Sequence, residues 1–271
     1  MTKTFEEKTA LEILENSESK VTPLNLIKQL ATKTGISPAN AKRLIRKLTK
    51  DKELEYTYFF GSTYIELSFN KPVKVTDHFV LIPAGIEQTS RQNETNIIIE
   101  PGISFGSGRH PTTRLSLTAL DQTKLKPSTN KLSGLDIGTG SGVLAIAACK
   151  TIISNCLALD IDPNSIAEAR KNVLLNRLEN QIHVKNTDIF SIDQKFSLIM
   201  ANLRLPTLNN LAEKITSLSN DESVLIMSGI RTWEKKDLIN LYTEHGFCIF
   251  WEKDEKNWSC VALQAKNSRI Q

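Results

Sequence analysis

Apolar residues recur at helical spacing through roughly the first 50 positions and as short runs after that. Over residues 5–17, Phe5, Leu11, Ile13 and Leu14 supply the apolar positions of one helix. Thr22-Pro23 follows as an N-cap with proline at the first helical position; Leu24, Ile27, Leu30 and Ala31 form the inner face and Gly35 stops the helix. Ser37-Pro38 repeats the device and turns Ala41, Leu44, Ile45 and Leu48 inward. Leu54 to Phe59 and Tyr64 to Leu67 flank Gly61-Ser62 and predict a β-hairpin.

Two short helices joined by a tight glycine turn suggest a helix-turn-helix, and three helices followed by a hairpin resemble a winged helix over residues 1–70. Its third helix exposes Lys42, Arg43, Arg46, Lys47 and Lys50, with Lys52 just beyond. Such a face meets the phosphates of a nucleic acid or an acidic partner, or is simply a solvated helix surface.

From residue 71 to 271 the pattern is different. Phe79 to Ile82 and Ile97 to Glu100 are strand-like, on either side of a polar loop at 87–96. After Asp160 the runs alternate between strand and helix: a helix opening at Asp162-Pro163, strands at Ile182 to Val184 and Phe196 to Met200, then a helix from Leu208 to Leu218. Val224 to Met227 predicts a fifth strand and Trp233 to His245 a further helix. Phe247 to Trp251 and Trp258 to Leu263 flank the charged turn Glu252 to Asn257 as an antiparallel pair. Parallel β-α units ending in a hairpin make this an α/β domain with a doubly wound sheet and one reversed strand.

The chemistry centres on LSGLDIGTGSGVLAIAACKTIISNCLALD, residues 132–160. A buried strand, a tight turn at Gly138, Gly140 and Gly142, and an all-apolar helix are expected, with the helix-start amides facing a ligand. Asp160 closes the next strand about 20 residues on, where an acid can take both hydroxyls of a ribose. The pattern is Asp136-x-Gly138-x-Gly140-x-Gly142 rather than the G-x-G-x-x-G of dinucleotide folds. An acid beside the glycines would repel a pyrophosphate but suits a cationic amino-acid group. S-adenosylmethionine (SAM), a phosphate-free nucleoside carrying an ammonium and a sulfonium, matches that charge logic.

Composition narrows the class only slightly. With 271 residues, 40% hydrophobic and 24% charged, the chain is an ordinary globular protein long enough for one large and one small domain. The net charge of +4 permits a nucleic-acid or ribosomal partner without requiring one. No apolar run reaches membrane-spanning length and MTKTFEEK is no signal peptide, so a cytoplasmic protein is expected. Cys149, Cys156, Cys248 and Cys260 lack C-x-x-C spacing, which predicts free thiols and no metal site.

The motifs PGISFGSGRHPTT, LDIGTGSGVLAIAA, ALDIDPNSIAEARKNVLLN, IMANLRLPTL, LIMSGI and NWSCVALQ cover roughly residues 72–266 in order. Together they resemble the class I SAM-dependent methyltransferases and, within them, the ribosomal protein L11 methyltransferase family. The resemblance implies a seven-stranded Rossmann-like methyltransferase sheet, SAM as cofactor and methylation of a ribosomal protein. It implies that Phe105 and Thr113 bracket the cofactor, Gly138 lies under its methionine part, Asp160 holds the ribose and Asp188 sits near the adenine. Asn202 would lie by the transferable methyl. The family's N-terminal domain is a ferredoxin-like unit, a pattern residues 1–70 do not show, and Ser107 replaces the usual threonine of the loop.

Enzymes that methylate base amines or glutamine amides usually carry Asn/Asp-Pro-Pro and an aromatic residue at this strand end. Here Asn202-Leu203-Arg204-Leu205 lacks both the prolines and the ring, which suits an aliphatic amine. Asn202 is the candidate to orient that amine, unless it only caps a turn, and His110 the candidate to close the site or relay a proton. The alternatives to a protein amine methyltransferase are an RNA or small-molecule methyltransferase and a non-catalytic SAM-binding nucleic-acid regulator.

Overall fold

The computed structural model describes residues 3–17, 20–59, 61–89, 91–100, 110–123, 125 and 132–266, and its chain divides into two compact units, Met1–Lys71 and Pro72–Gln271. The first unit contains α1 (Phe5–Glu15), α2 (Pro23–Thr34), α3 (Pro38–Lys50), β1 (Leu54–Phe59) and β2 (Ser62–Leu67). Each helix starts on a side-chain cap. Thr4 and Glu7 form a reciprocal capping box on α1, Thr22 accepts from the Asn25 amide and Ser37 from the Asn40 amide. Gly35 ends α2 in the left-handed conformation, φ 74°. The hairpin pairs Leu54 with Leu67, and Val21 bridges to Ile65 on its free side. Ala10, Ile13, Leu26, Leu30, Ala41, Ile45, Leu48 and Ile65 close one apolar core between the helices and the hairpin.

The second unit opens with a small sheet of β3 (Val73–Lys74), β4 (Phe79–Pro83) and β5 (Thr95–Ile99), in which β4 and β5 run parallel. Helix α4 (Pro111–Gln122) follows. Then β6 (Ser133–Ile137), α5 (Val143–Thr151), β7 (Asn155–Leu159), α6 (Pro163–Leu175), β8 (Ile182–Lys185) and β9 (Phe196–Asn202) alternate. The chain finishes with α7 (Leu205–Asn210), α8 (Ala212–Ser217), β10 (Ser219–Arg231), α9 (Lys235–Glu244), β11 (Phe247–Glu255) and β12 (Trp258–Ala265).

Seven strands form one sheet in the order β11-β12-β10-β9-β6-β7-β8, and β12 alone runs against its neighbours. This is the doubly wound sheet with one reversed strand expected from the β-α alternation. From β6 the chain winds outward to β7 and β8 and later returns to β9 on the other side. The crevice at the carboxyl ends of β6 and β9 is therefore the topological switch point, where ligands of open α/β sheets bind. Helix α5 has no polar face over Val143–Ala148, and all six of those residues are buried.

Three sequence expectations change. The single helix expected over Leu208–Leu218 is two short helices: it starts earlier, because Pro206 fits a first turn, and breaks at Leu211 (φ −95°, ψ −3°). The helix expected from Trp233 starts at Lys235, which leaves Trp233 exposed. The charged turn Glu252–Asn257 shrinks to Lys256-Asn257, both left-handed (φ 49° and 60°), while Glu252 to Glu255 continue β11. Charges along β11 fit a sheet edge, where they discourage pairing with another chain.

Candidate active site

Beyond Ile137 at the end of β6 the chain turns through the glycine run. Gly138 is left-handed, φ 70°, and a Cβ there would lie 2.6 Å from Leu203 Cδ2. The bend is fastened to the neighbouring strand by the Thr139 amide, which donates to the Leu159 carbonyl at 2.8 Å. Gly140 donates its amide to Asp160 Oδ2 at 2.9 Å, while Asp162 donates to Asp160 Oδ1 at 3.0 Å. Two backbone donors thus fix the Asp160 carboxylate, and each oxygen keeps a lone pair for a further donor.

Asp136 sits differently from the expectation that it faces the cofactor's cation. It is buried beneath the glycine turn, accepts from Thr139 Oγ1 at 2.6 Å and from the Ala145 amide at 3.2 Å, and does not line the cavity. Burial pushes its carboxyl up to about 6, against the opposing pull of the Thr139 bond. Its job in the structure is to tie the turn to the first turn of α5.

A cavity of about 850 Å³ opens over these strand ends, within the usual range for small-molecule sites. Gly138, Gly140 and Asp160 form one part of its wall, Asp188 and Ile189 another, and Asn202, Leu203 and Arg204 a third. Asp188 accepts from the Phe190 amide through Oδ1 at 3.0 Å and so caps the short 3₁₀ turn Ile189–Ser191. Asn202 ends β9 opposite Ser228, and its side-chain amide makes no hydrogen bond among the described residues. Among the described lining residues, the only carboxylates are Asp160 and Asp188, and the only arginine or lysine is Arg204.

His110 and Thr113 come from the start of α4. His110 is the N-cap: its Nδ1 accepts from the Thr112 amide at 3.3 Å and lies 2.8 Å from Thr112 Oγ1. Nδ1 is thus the acceptor, which puts the proton of the neutral ring on Nε2. Burial first, then the Arg114 and Arg231 charges, push the imidazole down to about 4. A ring titrating there is neutral and weakly basic at pH 7, and its Nδ1 is taken up by the cap of α4. Thr113 lines the cavity with a fully buried Oγ1 that has no hydrogen-bond partner among the described residues. Phe105, expected to bracket the cofactor from the other side, lies outside the described residues.

Three residues at or behind the cavity carry little signal in the sequence that would single them out as part of it. Gly229 lines the cavity in the left-handed conformation, φ 85°, at a bulge where β10 passes β12. Trp258 also lines it, with the Arg231 guanidinium 3.9 Å from the ring centroid and His110 edge-on at 5.0 Å. Asn172, fully buried on α6, accepts from the Glu100 amide at 2.9 Å and donates to the Ser141 carbonyl at 2.8 Å, linking the end of β5 to the glycine turn. An isolated Gly inside an apolar strand run was the one signal that could have pointed to Gly229.

These residues suit a SAM-like ligand in three respects. A buried donor-acceptor, Thr113 Oγ1, awaits a partner; Gly138 opens space where a Cβ would collide; and the carboxylates outnumber the cations on the described wall. Among the described residues, no helix is long and apolar enough to cross a membrane and no cluster of His, Cys, Asp and Glu could hold a metal ion.

Comparison with known proteins points the same way. A relative named ribosomal protein L11 methyltransferase from Geotalea daltonii is 30% identical over 200 residues, 71% of this chain and 64% of its own length. Another of that name from Heliobacterium modesticaldum is 33% identical over 198 residues, covering 73% of this chain and 61% of its own. The chain thus spans under two thirds of the length of these curated relatives. A crystal structure of ribosomal protein L11 methylase from Lactobacillus delbrueckii subsp. bulgaricus aligns with TM-score 0.65 and 29% identity, over 72% of this chain and 99% of that one. Since the family model described as ribosomal protein L11 methyltransferase (PrmA) matches residues 64–266, about three quarters of this chain, the chain belongs to that family.

Proposed function

We propose that this chain is a SAM-dependent methyltransferase that methylates an amino group of a protein substrate, a ribosomal protein of the kind its relatives are named for. The observation that carries the reading is the Asp160 carboxylate, held by the Gly140 and Asp162 amides at the mouth of a switch-point cavity. A fixed carboxylate there takes the two hydroxyls of a ribose, and a wall poor in cations suits a nucleoside without phosphates.

In this reading Asp188 and Ile189 receive the adenine end and the Gly138 turn the amino-acid end. Thr113 Oγ1 gains its missing hydrogen-bond partner from the bound molecule. His110 acts by holding the start of α4, and with it Thr113, in place. SAM supplies a methyl group already activated on a sulfonium, so no acid is needed for the leaving group. The side chains have to align and desolvate the nucleophile.

A lysine ammonium has a pKa of about 10.4 in water, and moving it toward the apolar wall of Ile137, Leu203 and Leu211 favours the neutral amine. Asn202 Oδ1 then accepts an N–H bond from that amine and turns its lone pair toward the methyl carbon. Formation of the N–C bond would break the methyl–sulfur bond, whose electron pair would neutralise the sulfonium and leave S-adenosylhomocysteine, while the surplus proton of the methylated amine would pass to solvent.

Titration calorimetry with SAM, S-adenosylhomocysteine and NADH tests the cofactor, and labelled methyl incorporation from SAM into ribosomal protein, ribosomal RNA and small-molecule fractions tests the substrate. Heat with the first two ligands and label in protein support the reading. Heat only with NADH, or label only in RNA, overturns it.

A further inference from the structure

The methyltransferase reading leaves residues 1–71 without a role. At about 100° per residue, the buried Ala41, Ile45 and Leu48 of α3, with the half-buried Leu44, centre on one side of the helix. Arg43, Arg46 and Lys50 fall on the opposite side, within about 60° of one another, and Lys42 and Lys47 flank them. All five cations are exposed and α3 contains no acid.

Asp51 caps the C-terminal end of α3, and the ion-paired acids of the unit lie off the central row. Glu53 pairs with Lys3 and Lys71, Glu66 with Lys20, and Glu7 with Lys47 on the flank. Among the described residues no carboxylate pairs with Lys42, Arg43, Arg46 or Lys50. Tyr56 and Tyr58 stand on one face of β1, 49% and 74% exposed, and add hydroxyl donors outside the helix.

We propose that residues 1–71 dock on double-stranded DNA, with α3 lying in the major groove through the face that carries Arg43, Arg46 and Lys50. An α-helix with its side chains is about 10–12 Å across and the B-form major groove about 12 Å wide, so the helix fits lengthwise. Seated there, the central guanidiniums of Arg43 and Arg46 face the base edges, while Lys42 on one flank faces a phosphate wall and Lys47 on the other stays held by Glu7. The A-form groove of duplex RNA is too deep and narrow for the same insertion. The proposal is independent of methyl transfer, since it uses none of the cavity residues.

The test is fluorescence anisotropy of the full chain with a labelled mixed-sequence DNA duplex, titrated across salt concentrations, against an RNA duplex of the same sequence. The expected result is tighter binding to DNA and a steep loss with salt. The R43E/R46E variant should bind at least about tenfold more weakly, with a salt slope shallower by about two. The K236E/K253E variant, with the same change in net charge on exposed residues of the other unit, should keep wild-type affinity. Circular dichroism confirms that the variants fold. The proposal fails if R43E/R46E matches wild type, if both variants weaken binding equally, or if RNA binds more tightly than DNA.

Discussion

Gly229 and Leu203 approach so closely that only glycine fits at 229. A Cβ built there would lie 2.5 Å from the Leu203 carbonyl oxygen and 2.8 Å from its amide nitrogen, both backbone atoms. The same backbone follows directly on Asn202, and the Leu203 amide donates to the Ser228 carbonyl at 3.0 Å. The bulge in β10 thus sets where the end of β9 lies and how Asn202 meets the cavity.

Gly229→Ala should therefore cost about 2 kcal/mol or more, from a forced backbone shift added to a left-handed φ of 85°. Urea unfolding monitored by circular dichroism measures the cost. A variant with the wild-type midpoint would show that the Leu203 backbone gives way freely.

The parts of the fold that follow from local pattern were legible: the glycine turn, the alternation of β and α, the caps at Thr22 and Ser37. The parts that depend on distant pairing were not. Asn172 reads as an ordinary polar helix residue, yet it is buried because the amide of Glu100, 72 residues earlier in the chain, needs an acceptor there. Asp136 carries the right motif but turns inward, because the Ala145 amide at the start of α5 competes for its carboxylate. Trp258 reaches the cavity only through β12, whose position next to β10 is a matter of sheet order.

Asp160→Asn and Asn202→Ala should separate binding from turnover. The asparagine keeps an acceptor for one backbone amide but loses the charge that strengthens bonds to a diol. SAM affinity should fall about 10- to 100-fold, the worth of a charge-assisted hydrogen bond. Asn202→Ala removes a side chain with no hydrogen bond among the described residues, so SAM affinity should stay within about threefold while turnover falls about 100-fold. Calorimetry and methyl incorporation read the two quantities. Equal affinity and full turnover in both variants would remove these residues from the site.

Asn172→Ala should destabilise the second unit without touching the cavity wall. It leaves the Glu100 amide and the Ser141 carbonyl without their partners, and each unpaired buried group costs about 1–3 kcal/mol. Because Ser141 lies in the glycine turn, SAM affinity should fall as well, though less than in Asp160→Asn. Thermal unfolding with and without SAM distinguishes the two effects; an unchanged Tm would show that water replaces both bonds.

Acid stability offers a test of the His110 cap. In the folded chain the imidazole is pushed from 6.5 down to about 4, so between those values the unfolded state holds more protons. This contribution is fully present above about 6.5 and is lost as the pH falls toward 4. Asp136 acts in the opposite direction. Its carboxyl is raised from 3.8 to about 6, so the folded state holds the extra proton over that window and gains from acidification. His110→Asn keeps a strong N-cap on α4 but removes the titrating ring. Whatever it loses at pH 7 through the Trp258 contact, its stability relative to wild type should improve steadily from pH 7 to pH 5. Tm measured for both proteins across that range checks the sign. A gap between them that does not move with pH would mean that His110 keeps its ordinary titration in the folded chain.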